Sequence, residues 1–127
     1  LCMNSRQERP WIKNLINKIR YSKNIKIKNL NKEFNSIIDT KEISEFIEFI
    51  KNKKIKNGTY NLAASKPLKM TKIIHIIKKY FYSNSKILNN GNDKKDVIIP
   101  LNKISKITKY KSSNVERILK RYLKELI

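Results

Sequence analysis

The sequence predicts an incomplete α/β fold, mostly helical with short strands, and three observations lead there. Residues 57–68, NGTYNLAASKPL, run from a glycine turn through a short apolar stretch into a small-residue loop, and the amphipathic run 70–81 follows. Strand, loop and helix in that order is how an α/β sheet passes its chain to a covering helix. Apolar residues recur at helical spacing in further segments. The strand-like stretches, by contrast, are too few to supply the neighbours that an interior strand at residues 59–62 requires.

The helices and strands are read in order as follows. Pro10 opens the first helix where its missing N–H costs little, and Trp11, Leu15 and Ile19, with Ile12 and Ile16 beside them, give it one apolar face to about Tyr21. Residues 25–28 alternate apolar and basic and predict a short exposed strand, and 34–38 a second extended piece. Asp39 or Thr40 is placed to cap a helix with Ile43, Phe46, Ile47 and Ile50 on one side. It frays into the lysines at 51, 53 and 54, which suit the negative end of a helix dipole. The next helix carries Ile73, Ile74, Ile76, Ile77, Tyr80 and Phe81 after a cap position, Lys69, that offers no acceptor. Residues 83–95 read as a polar loop and 97–100 as a strand stub ended by proline. Asn102 is placed to cap a short helix through Thr108. The last, capped by Ser112 or Ser113, presents Val115, Ile118, Leu119, Tyr122 and Leu126.

Composition narrows the function classes. A chain of 127 residues with 39% hydrophobic content is one domain, 1–127, able to bury roughly two-thirds of its unfolded surface. There is no apolar run of membrane-spanning length and no secretory leader, so a cytoplasmic protein with no membrane partner is expected. Leu1 in place of methionine points to a truncated reading. The single cysteine, Cys2, has no partner for an internal disulfide and reads as a small buried hydrophobe, and no Cys/His cluster offers a zinc site.

The formal charge of +20 raises a basic helical nucleic-acid-binding module as an alternative. Of 30 cationic residues, however, 25 are Lys and 5 are Arg, and Lys, Asn and Ile fill 63 of 127 positions. All three can be encoded with A and T alone, so codon bias accounts for the charge. Specific nucleic-acid surfaces favour arginine's planar fork. Nucleic acid is therefore not the expected partner.

Four segments in order resemble the C-terminal portion of the NAD-dependent epimerase/dehydratase family, the extended short-chain dehydrogenases. The first is the helix after Arg9-Pro10-Trp11 with the strand Ile25-Lys26-Ile27. The second is FNSIIDTKEISEFI at 34–47. NGTYNLAASKPLKM, from Asn57, resembles the family's Y-N-L-G strand, proline loop and helix. LNKISKITKYKSSNVERILKRYL at 101–123 resembles its closing helix pair. The resemblance implies a substrate-binding portion that lacks the main Rossmann sheet. It further implies a sugar or nucleotide-sugar substrate, and NAD or NADP held by an N-terminal half absent from this chain or separately encoded.

Neither the cofactor fingerprint nor the catalytic pair of the family is present. Dinucleotide binding needs closely spaced glycines after a first strand, and the chain has two, Gly58 and Gly91. The family's Tyr-x-x-x-Lys pair is matched by letter at Tyr82-Ser83-Asn84-Ser85-Lys86, but Ser-Asn-Ser is poor helix material and the run falls too late in the order. No catalytic, cofactor-binding or metal-binding residue is therefore assigned. His75, among isoleucines without a second ligand or base, reads as a satisfied or surface histidine.

The resemblance places Arg9, Trp11 and Asn35 at the substrate pocket. Asn35 stands where many members carry an arginine that clamps a nucleotide diphosphate, a bidentate charge that asparagine lacks. Lys41-Glu42 likewise replaces the usual paired acids. Asn61 is expected to be structural. The functional expectation is a substrate-side fragment of an epimerase or dehydratase, inactive alone.

Overall fold

A computed structural model describes residues 2–3, 10–91 and 95–126, with the side chains of 2, 3 and 10 outside the description. The elements run β1 (Cys2–Met3), α1 (Pro10–Arg20), β2 (Ile25–Ile27), β3 (Glu33–Phe34), β4 (Ile38–Asp39), α2 (Thr40–Ile50), β5 (Leu68–Lys69), α3 (Met70–Phe81), β6 (Ile87–Asn89), α4 (Asn102–Thr108) and α5 (Val115–Lys124). Among the described residues the strands form three two-stranded sheets. β1 pairs with β4 and β2 with β6, both parallel, while β3 and β5 run antiparallel.

The core is a three-helix layer in which α3 packs between α1 and α5. Ile12, Leu15, Ile16 and Ile19 of α1 meet Ile73, Ile74, Ile76 and Ile77 of α3 and Val115, Ile118, Leu119, Tyr122 and Leu123 of α5, all buried. Each set repeats at i, i+3, i+4, the spacing that puts an apolar stripe on one helical face. Trp11 departs from the reading of α1: it sits at the edge of that face, 40% exposed.

Several expectations are corrected by long-range pairing. Residues 59–62 form no strand, and the segment instead threads Ala63 and Ala64 through the interior, both fully buried. There Ala64 N–H bonds the Asn35 and Ile37 carbonyls at 3.2 and 3.1 Å, and the Ser112 hydroxyl donates to Ala63 O at 2.6 Å. Small side chains permit this close passage without a ladder. The expected loop at 83–95 contains β6, which partners β2, and residues 97–100 give only an isolated bridge between Phe34 and Val97. α5 is capped by Asn114, which accepts from Arg117 N–H at 2.8 Å, rather than by either serine, and Asn102 is the first residue of α4 rather than its cap, a position Leu101 holds without a side-chain bond.

Asp39 caps α2 as expected, accepting from Glu42 N–H at 2.8 Å, and it also anchors a buried ionic network. Arg121 of α5 donates to Asp39 through Nε and Nη2 at 2.8 and 2.9 Å, and through Nη2 to Glu42 Oε2 at 2.8 Å. Tyr110 O–H and Ser113 N–H both donate to Glu42 Oε1, at 2.8 and 2.7 Å. Burial alone would push the Glu42 carboxyl up. The Arg121 guanidinium, with the Ser113 and Tyr110 donors, outweighs it and holds the group below the usual carboxylate range. Burial, followed by the Glu42 carboxylate, pushes the Tyr110 phenol up, so it stays a donor.

Among the described residues, four non-glycine residues hold left-handed backbone: Ser22, Asn29, Tyr82 and Lys109, with φ of 51°, 61°, 50° and 62°. Tyr82 and Lys109 terminate α3 and α4. Because α3 stops at Phe81, Tyr82 and Lys86 do not share one helical face. Ser83 and Ser85 are buried instead, and the Ser83 hydroxyl donates to the Ile19 carbonyl at the end of α1.

Removing the cation from the network leaves two buried carboxylates facing each other. Arg121→Met is expected to cost about 3–5 kcal/mol in urea unfolding. A carboxyl held below its unfolded pKa lends stability that is present above that value and is lost as pH falls through the folded one. Stability is therefore expected to decline below about pH 4, and Glu42→Gln, less stable at neutral pH, to show a flatter acid limb in pH-dependent thermal melts.

Candidate functional site

The segment 28–36 and the start of α1 enclose a cleft of about 400 Å³. Trp11 and Phe34 form an aromatic corner, ring centroids 5.7 Å apart and planes at 75°, the edge-to-face arrangement such rings favour. Met70 and Val97 extend the apolar wall, and Ser36, Lys28, Lys32, Lys95 and Glu33 also line the cleft.

Backbone pairing fixes this arrangement. Asn29 takes its left-handed turn with its N–H on the Gly91 carbonyl at 2.9 Å, and Lys32 N–H closes back on Asn29 O at 3.0 Å. Met70 N–H bonds Lys32 O at 3.1 Å, and Val97 N–H bonds Glu33 O at 3.1 Å. Glu33 N–H in turn reaches the Asp96 carboxylate at 3.0 Å. The cleft thus lies where β3, β5 and residues 95–97 converge.

Asn35, buried next to this cleft in sequence, uses its whole amide on the chain itself. Its Nδ2 donates to Ala64 O and Ile99 O, both at 3.0 Å, and its Oδ1 accepts from Ile99 N–H at 2.7 Å. It joins three chain segments behind the cleft and does not line it. Of the residues singled out from sequence, Trp11 lines the cleft, Asn35 braces it and Arg9 lies outside the described residues. Lys28, Lys32, Ser36, Met70, Lys95 and Val97 were not singled out. With 25 lysines spread along the chain, no local run marks the three that converge.

The other candidates fall elsewhere. His75 is exposed on α3, in a groove shared with Lys72, Lys79, Lys120 and Lys124. Asn61 donates to Pro100 O at 3.4 Å, on the neighbouring loop. The side chain of Cys2 is outside the description. No group of three potential metal ligands occurs among the described residues. No described helix is long and apolar enough to cross a membrane.

Chemically, a mixed aromatic and aliphatic wall lined also by lysines suits an anion that also carries a ring. The fold leads in the same direction: the chain has the fold of part of the sugar-nucleotide epimerases and reductases that use NAD or NADP. Among solved structures, UDP-glucuronic acid 4-epimerase from Bacillus cereus in complex with NAD aligns with TM-score 0.75 and 16% identity over 98% of this chain and 42% of that one. GDP-mannoheptose C4 reductase from Campylobacter jejuni with NADP bound gives 0.72 and 12% over 98% and 46%. UDP-glucose 4-epimerase from Thermotoga maritima with UDP-glucose gives 0.72 and 9% over 96% and 40%. The chain therefore spans less than half the length of these proteins, and what it shares with them at these identities is the fold. No protein-family model and no curated protein matches the sequence.

Replacing Asn35 tests the brace. Asn35→Ala strands the Ile99 N–H and two carbonyls, and unfolding titrations are expected to show a loss of about 1–3 kcal/mol.

Proposed function

We propose that residues 1–127 form the C-terminal, substrate-binding portion of an NAD(P)-dependent epimerase, dehydratase or reductase that acts on a nucleotide-linked sugar. One observation carries this reading: almost the whole chain aligns with less than half of such an enzyme, at TM-score 0.75. In this reading the Trp11 and Phe34 rings meet the apolar face of a sugar or base, and Lys28, Lys32 and Lys95 offset the diphosphate charge that the family's arginine would meet. Asn35 acts as a positioning residue, and Arg9, which directly precedes the Pro10-Trp11 corner, adds a further cation.

The residues present do not fit the cofactor. Gly91 has positive φ, at 99°, in the turn against Asn29. Gly58 and Gly91 lie 33 positions apart, whereas the dinucleotide turn needs closely spaced glycines after a first strand. The dinucleotide and the proton-transferring residues belong, in this proposal, to an N-terminal half, encoded with this chain or apart from it. This portion's own work is to bind, orient and screen the substrate.

NMR titration of the 127-residue chain with UDP-glucose at millimolar concentration is expected to shift the Trp11 indole N–H and the amides of Lys32 and Lys95. Trp11→Ala should abolish the response in those amides, and NADH should give no saturable binding. Saturable NADH binding, or turnover by this chain alone, sinks the proposal.

A further inference from the structure

The packed helices α3 and α5 leave a groove of about 640 Å³ on their outer side, larger than the cleft at Trp11. Ile76, a buried member of the core, lines it from below. Helix α3 spaces Lys72, His75 and Lys79 at i, i+3 and i+7, which keeps them on one face and sets the two lysines roughly 10 Å apart along the axis. Helix α5 contributes Glu116, Lys120 and Lys124 at i, i+4 and i+8. Tyr80 and Tyr82 line the groove at the C-terminal end of α3.

Four lysines against the one carboxylate leave this lining a formal +3. Glu116 is already engaged, with Lys120 at 2.6 Å. The Lys120 ammonium, and after it Lys72 of the facing helix, keeps the Glu116 carboxyl below its usual range. Among the described residues, no ion pair or side-chain hydrogen bond uses Lys72, Lys79 or Lys124. The two rings differ in the same way. Tyr80 packs edge-to-face on Phe81 with centroids 5.1 Å apart, whereas Tyr82 is 93% exposed on its left-handed backbone. Uncommitted cations beside an uncommitted ring are what a phosphate chain and an attached base require.

We infer that the groove between α3 and α5 binds a small anion with a triphosphate chain, free or carried by a nucleoside whose base lies on Tyr82. Such a chain bears about −3 to −4 near neutral pH, which matches the lining. A cavity of this volume is of the size that takes a small organic ligand. A nucleic-acid strand is the poorer occupant, because grooves for strands stack successive bases on several rings, and here one ring is exposed. Nor does any arginine line the groove to read base edges, while lysine point charges suffice for phosphate. The groove shares no lining residue with the cleft of Trp11 and Phe34, so an anion here is distinct from a sugar nucleotide there.

The test titrates the full 127-residue chain with sodium triphosphate and, separately, with ATP, in about 150 mM salt, where long-range attraction to the +20 chain is screened. Calorimetry is expected to show saturable 1:1 binding, with NMR shifts at the amides of His75 and Lys79. Lys79→Gln combined with Lys124→Gln should weaken it at least about tenfold. Lys54→Gln combined with Lys56→Gln removes the same charge from exposed sites outside the groove and should change it by less than about twofold. Tyr82→Asn, which tolerates the left-handed backbone, tells the two sources apart. A loss confined to ATP assigns a nucleotide, and no loss for either ligand assigns the bare phosphate chain. Four outcomes overturn the inference: no saturable binding, equal weakening by the two lysine pairs, shifts centred on Trp11 and Lys32, or a single-stranded oligonucleotide that displaces triphosphate at lower concentration.

Discussion

Everything on the α5 side of this molecule is arranged around the need to pair two carboxylates that lie almost without solvent. Burying two carboxylates is costly unless a cation and further donors are brought to them. Arg121 supplies the cation from a helix that comes late in the chain, and the Tyr110 hydroxyl and Ser113 N–H complete the Glu42 shell. Once these are satisfied, the N-terminus of α2 is pinned to α5. The loop 110–113 is pinned to α2, and the 63–65 segment is drawn in beneath it, Ser112 donating to Ala63 O and Ser113 O accepting from Ser65 N–H. Replacing such a network by apolar groups of similar size can raise stability. What the charges contribute is geometry, since they permit one mutual placement of α2, α5 and the intervening loop.

Asn35 applies the same logic on the opposite side with neutral groups. A single amide with two donors and one acceptor meets one N–H and two carbonyls from segments distant in sequence. Phe34 and Ser36, on either side of it, are thereby placed along the cleft wall. Asn35 thus shapes the cleft without entering it. The cations that line the cleft are lysines, which are point charges on flexible stems rather than planar forks.

The sequence was legible wherever structure is local. Apolar periodicity located α1, α2, α3 and α5, and the cap at Asp39 followed from a short acceptor ahead of an amphipathic run. Legibility failed where a partner lies far along the chain. β6 is three residues long and has no period of its own, so only its pairing with β2 defines it. Asn114 won the cap of α5 because Ser112 and the Ser113 N–H were already bonded to Ala63 and Glu42, neither of which sequence spacing reveals. Trp11 fits an apolar stripe by position, yet it faces Phe34 at the cleft because the isoleucines beside it are enough to fill the helical layer. The three cleft lysines were hidden by abundance.

The left-handed turns carry a consequence for how this protein comes apart. An L-residue with a side chain pays roughly 1–2 kcal/mol to occupy that region, and glycine pays almost nothing. Glycine needs G-rich codons, and here a tyrosine and a lysine close two helices in its stead. Strain is therefore concentrated at the chain reversals. On warming, melting would begin at the C-terminal turns of α3 and α4, and a glycine written into either position would tighten the molecule without touching its interior.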